Sequence, residues 1–487
     1  MMLPAEFSPG AAEIFLSISG LAILLGGVFS KDCSKWMSQI VMGIFLLGML
    51  ILLSDLFHAE RISFYGLFLA NAYTQLAKMM ILLAAFFALV MSFRHLERES
   101  IRDFEYPILA LFATLGMMLM VSANDLVSMF IGLELQSLPL YIMVAMHKGR
   151  FSASEGAVKY FCLGALSTAL ILYGSSLIYG YTGTTEYGAL LSVFATDKSL
   201  PAFLLFGMCF LIAGVGFKMS LVPFHMWTPD VYQASSTSVT SFLAAAPKAA
   251  AVFLFVRLCF EIFIHQLNFW SPIIVVISLL SMVFGSFGAL YQKDIKRLLA
   301  YSSIAHMGFI LLGLVGGDFI GLRNVVIYVA LYLVMTLGIF ACALSLKKQG
   351  LSLEKIEDLA GLAKYNPLVA GCLTVALFSL AGIPPLAGFM AKFGVFMSAI
   401  EAEYYWLSVI GILSSVVAAG YYLRLIKIMY FDEVPCGIDK PYLEETGSKE
   451  TLIIMLLMTG IMLFYIVFPD SLMDPAYMAT KALFFRL

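Results

Sequence analysis

Long apolar runs recur along almost the whole chain, and short polar stretches separate them. A run of about twenty apolar residues is long enough to cross the ~30 Å hydrocarbon core of a bilayer as a helix. The strands of a membrane barrel would instead alternate in polarity over about ten residues, and the chain does not show that pattern. The sequence therefore predicts an all-α, polytopic membrane protein with about fourteen transmembrane helices. The predicted segments are 11–30, 36–57, 74–93, 105–123, 125–147, 156–180, 202–232, 238–263, 270–291, 294–316, 320–345, 367–400, 406–430 and 451–469.

Two of these segments are long and contain proline. The seventh includes LIAGVGFKMSLVPFHMW (211–227), with Pro223, and the twelfth includes LFSLAGIPPLAGFMAKF (377–393), with Pro384 and Pro385. Proline removes a backbone donor and frees a carbonyl group, which at membrane depth is tolerated only where protein or water satisfies it. We therefore predict that both helices are discontinuous. Broken helices at corresponding positions of two halves indicate an ion path near the membrane midplane.

Composition and charge agree with a membrane protein. Hydrophobic residues make up 61% of the chain and charged residues 12%, with a mean hydropathy of +0.95, whereas soluble domains have about 25% charged residues. Lys and Arg concentrate in alternate loops, which predicts that this side faces the cytoplasm or matrix and that both termini lie on the opposite side. The basic loops include KDCSK (31–35), RHLERESIR (94–102), HKGR (147–150), QKDIKR (292–297) and KKQG (347–350).

No cofactor or metal site is expected in this chain. The seven cysteines are scattered, without the spacing of an iron–sulfur or zinc site. The histidines also lack ligand spacing, and no glycine-rich nucleotide-binding motif follows a strand. If the protein takes part in redox chemistry, the electrons travel elsewhere.

Three lysines lie near the middle of predicted spans: Lys218, Lys248 and Lys392. A charge at the bilayer centre costs at least about 2.5–3.5 kcal/mol on insertion scales, so these residues indicate either a proton or ion path or buried ion pairs that serve structure alone.

Three further basic residues, Lys78, Lys159 and Arg257, lie within reach of a helix end. Long basic side chains in that position commonly extend their charge to the membrane interface, and this is the simplest prediction for all three.

The fifth predicted helix supplies an acid. Glu134, in GLELQSLPLY (132–141), is a carboxylate in the middle of an apolar span. Such a group is either neutral or faces a cation. A pair of Glu134 with Lys218 on a neighbouring helix would act as a proton switch, because the position of one charge decides whether the other binds a proton.

Other polar residues could connect these groups. His225 follows the first proline break, and His306 lies with Ser302 and Ser303 in YSSIAHMG (301–308). A buried histidine is more often a hydrogen-bonded core residue than a relay, although its near-neutral pKa suits proton transfer. His225, His306 and Lys159 are therefore secondary relay candidates.

Several long motifs resemble one family, the antiporter-like membrane subunits of respiratory complex I. They are GLELQSLPLY (132–141), EGAVKYFCLGALSTALILYGSSLIYG (155–180), GFKMSLVPFHMWTPDVYQ (216–233), KRLLAYSSIAHMG (296–308) and LAGIPPLAGFMAKF (380–393). The resemblance covers essentially the whole chain. It implies fourteen helices, with two inverted five-helix repeats at 105–263 and 264–430 between an N-terminal three-helix segment (1–104) and a C-terminal loop and last helix (431–487).

The resemblance also implies a proton relay. By motif, its members are Glu134 in helix five, Lys218 in helix seven, Lys248 in helix eight and Lys392 in helix twelve. The stretch QASSTSVT (233–240) departs from the family, because many relatives have a proline-containing loop there.

The implied function is proton pumping, coupled to electron transfer from NADH to quinone. FMN, iron–sulfur clusters and quinone are expected in other subunits, and an M-type antiporter-like subunit and small K- and J-type subunits are expected as neighbours. The lysine at the break of helix twelve argues against the M type of subunit, which has a glutamate there. The implied location is the bacterial inner membrane, or alternatively the mitochondrial inner membrane. A subunit of a sodium/proton antiporter or of a membrane-bound hydrogenase is the functional alternative, and a pure scaffold is the third hypothesis.

Overall fold

The computed structural model describes residues 8–29, 34–56, 60–98, 104–147, 149–196, 200–348, 351–352, 354–433, 443–445 and 448–484. These residues form a predominantly helical protein. The helices of its first half are α1 Ala11–Phe29, α2 Ser34–Asp55, α3 Ala72–Arg98, α4 Glu105–Ser122, α5 Leu126–Ala145, α6 Phe151–Thr182, α7 Tyr187–Thr196, α8 Ala202–Met219, α9 Trp227–Ala234, α10 Thr237–Ala244 and α11 Ala246–Arg257. The helices of its second half are α12 Leu267–Leu290, α13 Ile295–Leu312, α14 Phe319–Leu344, α15 Leu362–Tyr365, α16 Pro367–Ala381, α17 Ala387–Glu401, α18 Tyr405–Phe431, α19 Lys449–Phe464 and α20 Asp470–Phe484.

The predicted helical membrane fold is confirmed. Within the described ranges, 13 helical segments are long and apolar enough to cross a membrane. The twelfth predicted segment is not among them, because it consists of the two shorter helices α16 and α17. Parts of four predicted basic loops, 31–35, 94–102, 147–150 and 347–350, and most of the stretch 431–450 lie outside the described residues.

The backbone leaves the helical conformation at both proline sites. Helix α8 ends at Met219 with Ser220 in the left-handed region (φ 65°), and α9 begins at Trp227. Helix α16 ends at Ala381, with Gly382 at φ 86°, before α17 begins. The Val222–Pro223 and Pro384–Pro385 peptide bonds are cis.

The eighth predicted span is also interrupted, which the sequence did not predict. Helices α10 and α11 meet at Ala245, and α11 then continues as a π-helical turn, Leu258–Ile262. Pro247 lies in the first turn of α11, where its missing N–H has no helical partner to lose. The two helices are buried and pack against α3, α8 and α14, so they form the centre of the protein.

Small residues bring the helices of the site close together. A Cβ atom on Gly116 of α4 would lie 2.3 Å from the backbone nitrogen of Gln136 in α5, and one on Gly132 would lie 2.6 Å from the backbone nitrogen of Met120. Glycines permit such close helix contacts in membranes. They fix α5, which carries Glu134, directly against α4.

Short elements outside the spans complete the structure. Strands β1 Arg61–Ser63 and β2 Phe68–Ala70 form a hairpin, and β3 Leu346–Lys348 pairs with β4 Leu351–Ser352 and β5 Leu443–Glu445. The C-terminal helix α20, which the sequence did not predict, packs on α3 and α14.

Candidate functional site

Glu134 and Lys218 lie at the first proline break. Glu134 Oε1 accepts a hydrogen bond from Thr168 of α6 at 2.7 Å. Lys218, in the last turn of α8 and 7% exposed, donates to Ser137 Oγ at 2.7 Å and to the Tyr141 hydroxyl at 3.4 Å. The two charged groups form no ion pair within 4 Å in the described structure, although Glu134 lies within electrostatic range of the ammonium group. Ser137, one helical turn from Glu134, contacts Lys218 instead.

Hydrogen bonds to the backbone hold Lys218 at this depth. Ser167 Oγ donates to the carbonyl of Gly214 at 2.9 Å, and Trp227 Nε1 donates to the carbonyl of Phe217 at 2.9 Å. These side chains satisfy carbonyl groups in and near the last turn of α8, as an interrupted helix in a membrane requires. The break therefore places the lysine in the protein interior.

Lys248 lies in the first turn of α11, 1% exposed. Its Nζ has no hydrogen-bond partner among the described residues, and its nearest aromatic contact is the face of Tyr232, 5.6 Å from the ring centroid. A ring face stabilises a cation by about 0.5–2 kcal/mol. Helix α8, which carries Lys218, packs directly against α11.

A cluster of hydroxyl groups surrounds His306. Its Nδ1 lies 2.9 Å from the Tyr328 hydroxyl, and its Nε2 lies 3.5 Å from the Tyr422 hydroxyl. Ser302 and Tyr422 share a hydrogen bond of 2.5 Å. Both ring nitrogens of His306 therefore have partners that can donate or accept a proton, as a relay residue needs.

A second hydroxyl pair links this cluster to α10. The Tyr332 hydroxyl donates to the carbonyl of Ala244 at 3.1 Å and lies 2.7 Å from Ser303 Oγ. Ala244 is four residues before Lys248. A cavity of about 20 Å³ borders Ser303, Tyr332 and Thr336, which is enough for one water molecule.

Lys392 lies at the second proline break, 5% exposed. Its Nζ donates to the carbonyl of Ala381, the last residue of α16, at 2.9 Å and to Ser415 Oγ at 2.7 Å. The same atom lies 4.9 Å from the centroid of the Phe309 ring, which contacts His306. Lys248 and Lys392 both act electrostatically on His306. His306 is therefore within electrostatic range of both lysines.

Lys159 and His225 lie apart from the buried row, which consists of Lys218, Lys248 and Lys392. Lys159 is 45% exposed and pairs with Glu155 at 2.9 Å and with Asp230 at 3.1 Å. Asp230 also binds Arg297 at 2.7 Å, and these groups line a polar cleft of about 390 Å³. Burial favours the neutral form of Asp230, but the hydrogen bonds from Lys159 and Arg297 outweigh it and lower its pKa. His225 is half-buried in the break segment, and its Nδ1 has no hydrogen-bond partner in the described structure.

The prediction that Lys78 and Arg257 reach the membrane interface is wrong. Lys78 is fully buried and pairs with Glu13 of α1 at 2.9 Å. Arg257 is fully buried, pairs with Glu261 at 2.5 Å and donates to the carbonyl groups of Val121 and Ala123. Each cation has a carboxylate within the protein, so it does not need the interface.

Among the described residues, no three His, Cys, Asp or Glu side chains form a group that could hold a metal ion. The five cysteines within the described ranges are free, and Cys33 and Cys436 lie outside them.

Comparisons with known proteins agree with this arrangement. The family model "NADH:quinone oxidoreductase/Mrp antiporter, TM" matches residues 123–418, which contain every residue of the buried row. NADH-quinone oxidoreductase subunit N of Paramagnetospirillum magneticum is 45% identical over 99% of both chains. The subunit N of Parvibaculum lavamentivorans is 45% identical over 98% of both.

Solved structures show the same fold. A chain of respiratory complex I from Thermus thermophilus matches with a TM-score of 0.78 and 30% identity, covering 95% of this chain and 98% of that chain. A chain of the Mrp complex from Dietzia has a TM-score of 0.85 but 19% identity, covering 98% and 97%, so it supports the fold alone. With near-complete coverage by relatives that carry one name, this chain belongs to the NADH-quinone oxidoreductase subunit N family.

Proposed function

We propose that this chain is a proton-translocating subunit of the membrane arm of NADH:quinone oxidoreductase, respiratory complex I. Other subunits bind FMN, iron–sulfur clusters and quinone and carry the electrons, while this chain moves protons. The observation that supports the proposal best is the row of three buried lysines. Lys218 and Lys248 lie in helical segments long enough to cross the membrane, and Lys392 lies in the shorter helix α17 at the second proline break. A scaffold would gain nothing from desolvated cations at that depth.

The first step takes place between Glu134 and Lys218. Two unit charges about 4–8 Å apart interact by roughly 2–4 kcal/mol at an effective dielectric constant of about 20. Moving one proton against 100 mV requires about 2.3 kcal/mol. A change in the distance between the Glu134 carboxylate and the Lys218 ammonium group would therefore change the stability of the lysine's charged form by enough to drive translocation.

The following steps use the hydroxyl groups. A proton released by Lys218 passes to Lys248 on the adjacent helix α11. From there, Tyr332 and Ser303 lead to His306, whose ring nitrogens contact Tyr328 and Tyr422. Lys392 accepts the proton at the second break, where Ser415 and a free helix carbonyl stabilise its charge.

The surroundings of the chain follow from its family. In complex I its neighbours are other membrane-arm subunits, with an M-type subunit and the small K- and J-type subunits as the proposed contacts. We place the basic loops on the cytoplasmic side of a bacterial inner membrane and both termini on the periplasmic side. We also propose that 105–263 and 264–430 are inverted repeats, each containing one proline break.

Replacing Lys218 tests the proposal. Lys218→Met should lower proton pumping by roughly tenfold or more, because a positioned proton-transferring group contributes about 10²–10⁴-fold to a rate. NADH:quinone reductase activity should fall with it, since the two processes are coupled. The control is Lys427→Met, which removes a mostly exposed lysine and should leave both activities intact. Normal pumping by an assembled Lys218→Met complex would refute the role of Lys218.

A sodium/proton antiporter is the second candidate, because the matching family model also covers Mrp antiporters. It predicts exchange of sodium for protons by vesicles that receive no NADH, and loss of this exchange in Glu134→Gln. Vesicles that pump only while NADH is oxidised would exclude it.

A further inference from the structure

The N-terminal three-helix segment contains a charged pair that the relay does not use. Glu13 of α1 and Lys78 of α3 are 4% and 0% exposed, and Glu13 Oε1 lies 2.9 Å from Lys78 Nζ. Both residues lie outside the 123–418 region that the family model matches. The same ammonium group lies 4.9 Å from the centroid of the Phe68 ring.

The hydrogen bonding of this pair is incomplete. Neither oxygen of Glu13 nor Nζ of Lys78 has a partner in good hydrogen-bond geometry among the described residues. An ammonium group has three donors, and a carboxylate has about four acceptor sites. A buried ion pair repays its desolvation only when additional hydrogen bonds satisfy these sites. The donor and acceptor sites that the protein leaves unfilled therefore indicate contact with water.

Polar side chains extend from this pair along α3. Asn71, Gln75 and Lys78 follow the spacing i, i+4, i+7, which places them on one face of a helix. All three are buried, and Asn71 Nδ2 and both amide atoms of Gln75 also lack protein partners in the described structure. Unsatisfied buried amides are rare in native proteins and are usually explained by water. The stripe runs from Lys78 toward the β1–β2 hairpin, on the side where basic loops are scarce.

A pocket borders Glu13 at the end of the protein that carries the β1–β2 hairpin. Its volume is about 400 Å³, and it is lined by Glu13 and Ser17 of α1, by Phe64 near the hairpin, and by Ser128 and Gly132 of α5. This volume holds several water molecules, at about 30 Å³ each. Its walls are mostly apolar, and Glu13 is the one ionisable side chain among the described residues that line it.

We propose that Glu13, held by Lys78, is a second proton-binding site, in contact through this pocket with the aqueous phase on the side where basic loops are scarce. The proposal rests on the proposed proton-pumping function. In the exchange step, a hydronium ion in the pocket transfers its proton to a Glu13 oxygen and becomes water, and the reverse step releases the proton. Lys78 keeps its charge, so the pair changes from net zero to net +1. Gly132 of the pocket wall is two residues from Glu134 on α5, which places this charge change beside the helix that carries the first relay residue.

Access to the pocket can be measured in the assembled complex in membranes. A thiol at Ser17→Cys should react with a charged, membrane-impermeant methanethiosulfonate added from that side, because the reactive thiolate forms in contact with water. The control is Leu50→Cys, on the apolar outer surface of α2 at a similar distance from the helix end. Labelling should be at least roughly tenfold faster at position 17. A difference of about one pKa unit between the two thiols changes the fraction present as reactive thiolate tenfold. Equal, slow labelling at both positions would overturn the proposal.

A double variant tests the proton exchange itself. Glu13→Gln with Lys78→Met removes both charges, so no unpaired charge stays buried and a purely structural pair would be replaced with little effect. The expected result is normal assembly with fewer protons pumped per electron pair, whereas an unchanged ratio would overturn the proposal. If the variant does not assemble, the labelling result decides. Loss of pumping in Lys218→Met together with an unchanged ratio in the double variant would refute this site and leave the proposed function intact.

Discussion

The three central lysines are stabilised by different surroundings. Lys218 donates to two hydroxyl groups, and Lys392 donates to a hydroxyl group and a helix carbonyl. The ammonium group of Lys248 has no hydrogen-bond partner among the described residues and lies near the face of Tyr232. A hydrogen bond to a charged group contributes about 1.5–3 kcal/mol, so the ammonium groups of Lys218 and Lys392 have a stabilising interaction that the described residues do not give Lys248.

The Tyr232 ring can be tested separately from its hydroxyl group. Tyr232→Phe keeps the ring face above Lys248 and should pump at nearly the normal rate, because the hydroxyl has no protein partner in the described structure. Tyr232→Leu removes a cation–ring interaction worth about 0.5–2 kcal/mol, and we expect a several-fold loss of proton pumping. Dye-monitored acidification of inverted vesicles, normalised to the amount of assembled complex, measures both. Equal loss in the two variants would show that the hydroxyl group is the important part.

At the scale of elements, each proline break lies next to a buried lysine. The chain turns away from the helix axis after Met219 and again after Ala381, and a carbonyl group at the second turn accepts the bond from Lys392. Gly382 makes this geometry possible. It has a φ of 86°, and a Cβ atom there would lie 2.9 Å from Cδ of Lys392.

Gly382→Ala should therefore disturb the site in two ways. The left-handed backbone costs a non-glycine residue about 1–2 kcal/mol, and the added methyl group displaces the Lys392 side chain. We expect a lower melting temperature of the complex and a loss of pumping, with quinone reduction falling alongside it. Gly371→Ala, in the interior of α16 with nothing within 4 Å of the new Cβ, is the matched control and should be neutral or stabilising by up to about 1 kcal/mol. Identical behaviour of the two variants would contradict this account.

The sequence predicted the elements that have a strong local signal. Apolar runs predicted fourteen helical segments, thirteen of which correspond to spans long enough to cross a membrane within the described ranges. Charges inside those runs pointed to Lys218, Lys248 and Lys392, which are buried. The break at Ala245 was missed because an alanine-rich stretch favours continuous helix, and tertiary packing overrides that preference.

The contacts that were missed depend on distant parts of the chain. Lys78 was predicted at the interface because its partner, Glu13, lies on another helix, and one sequence does not show which helices touch. Arg257 had a nearer signal, since Glu261 follows at i+4, where opposite charges on a helix can pair. Helix α20 was missed although its buried Ala476, Ala479, Thr480 and Leu483 follow helical spacing.

At the scale of the whole molecule, the described structure has charged groups at three depths. The polar cleft with Lys159, Asp230 and Arg297 lies at the end with the basic loops, the lysine row lies in the middle, and the Glu13 pocket lies toward the other end. A pump needs separate access from each side to a central site. Which end of the chain takes up protons therefore depends on the orientation of the chain in the membrane.

Orientation can be measured with two exposed positions at opposite ends. Tyr65, in the turn of the β1–β2 hairpin, is 97% exposed, and Lys364 is exposed in the basic loop region after α14. Because Lys and Arg remain on the cytoplasmic side, an impermeant maleimide should label Tyr65→Cys in intact spheroplasts and Lys364→Cys only in inverted vesicles. The unsubstituted chain, which has an exposed thiol at Cys162, gives the background in both preparations. The reverse pattern would place the Glu13 pocket on the cytoplasmic side, where water in it would supply protons to the pump instead of receiving them.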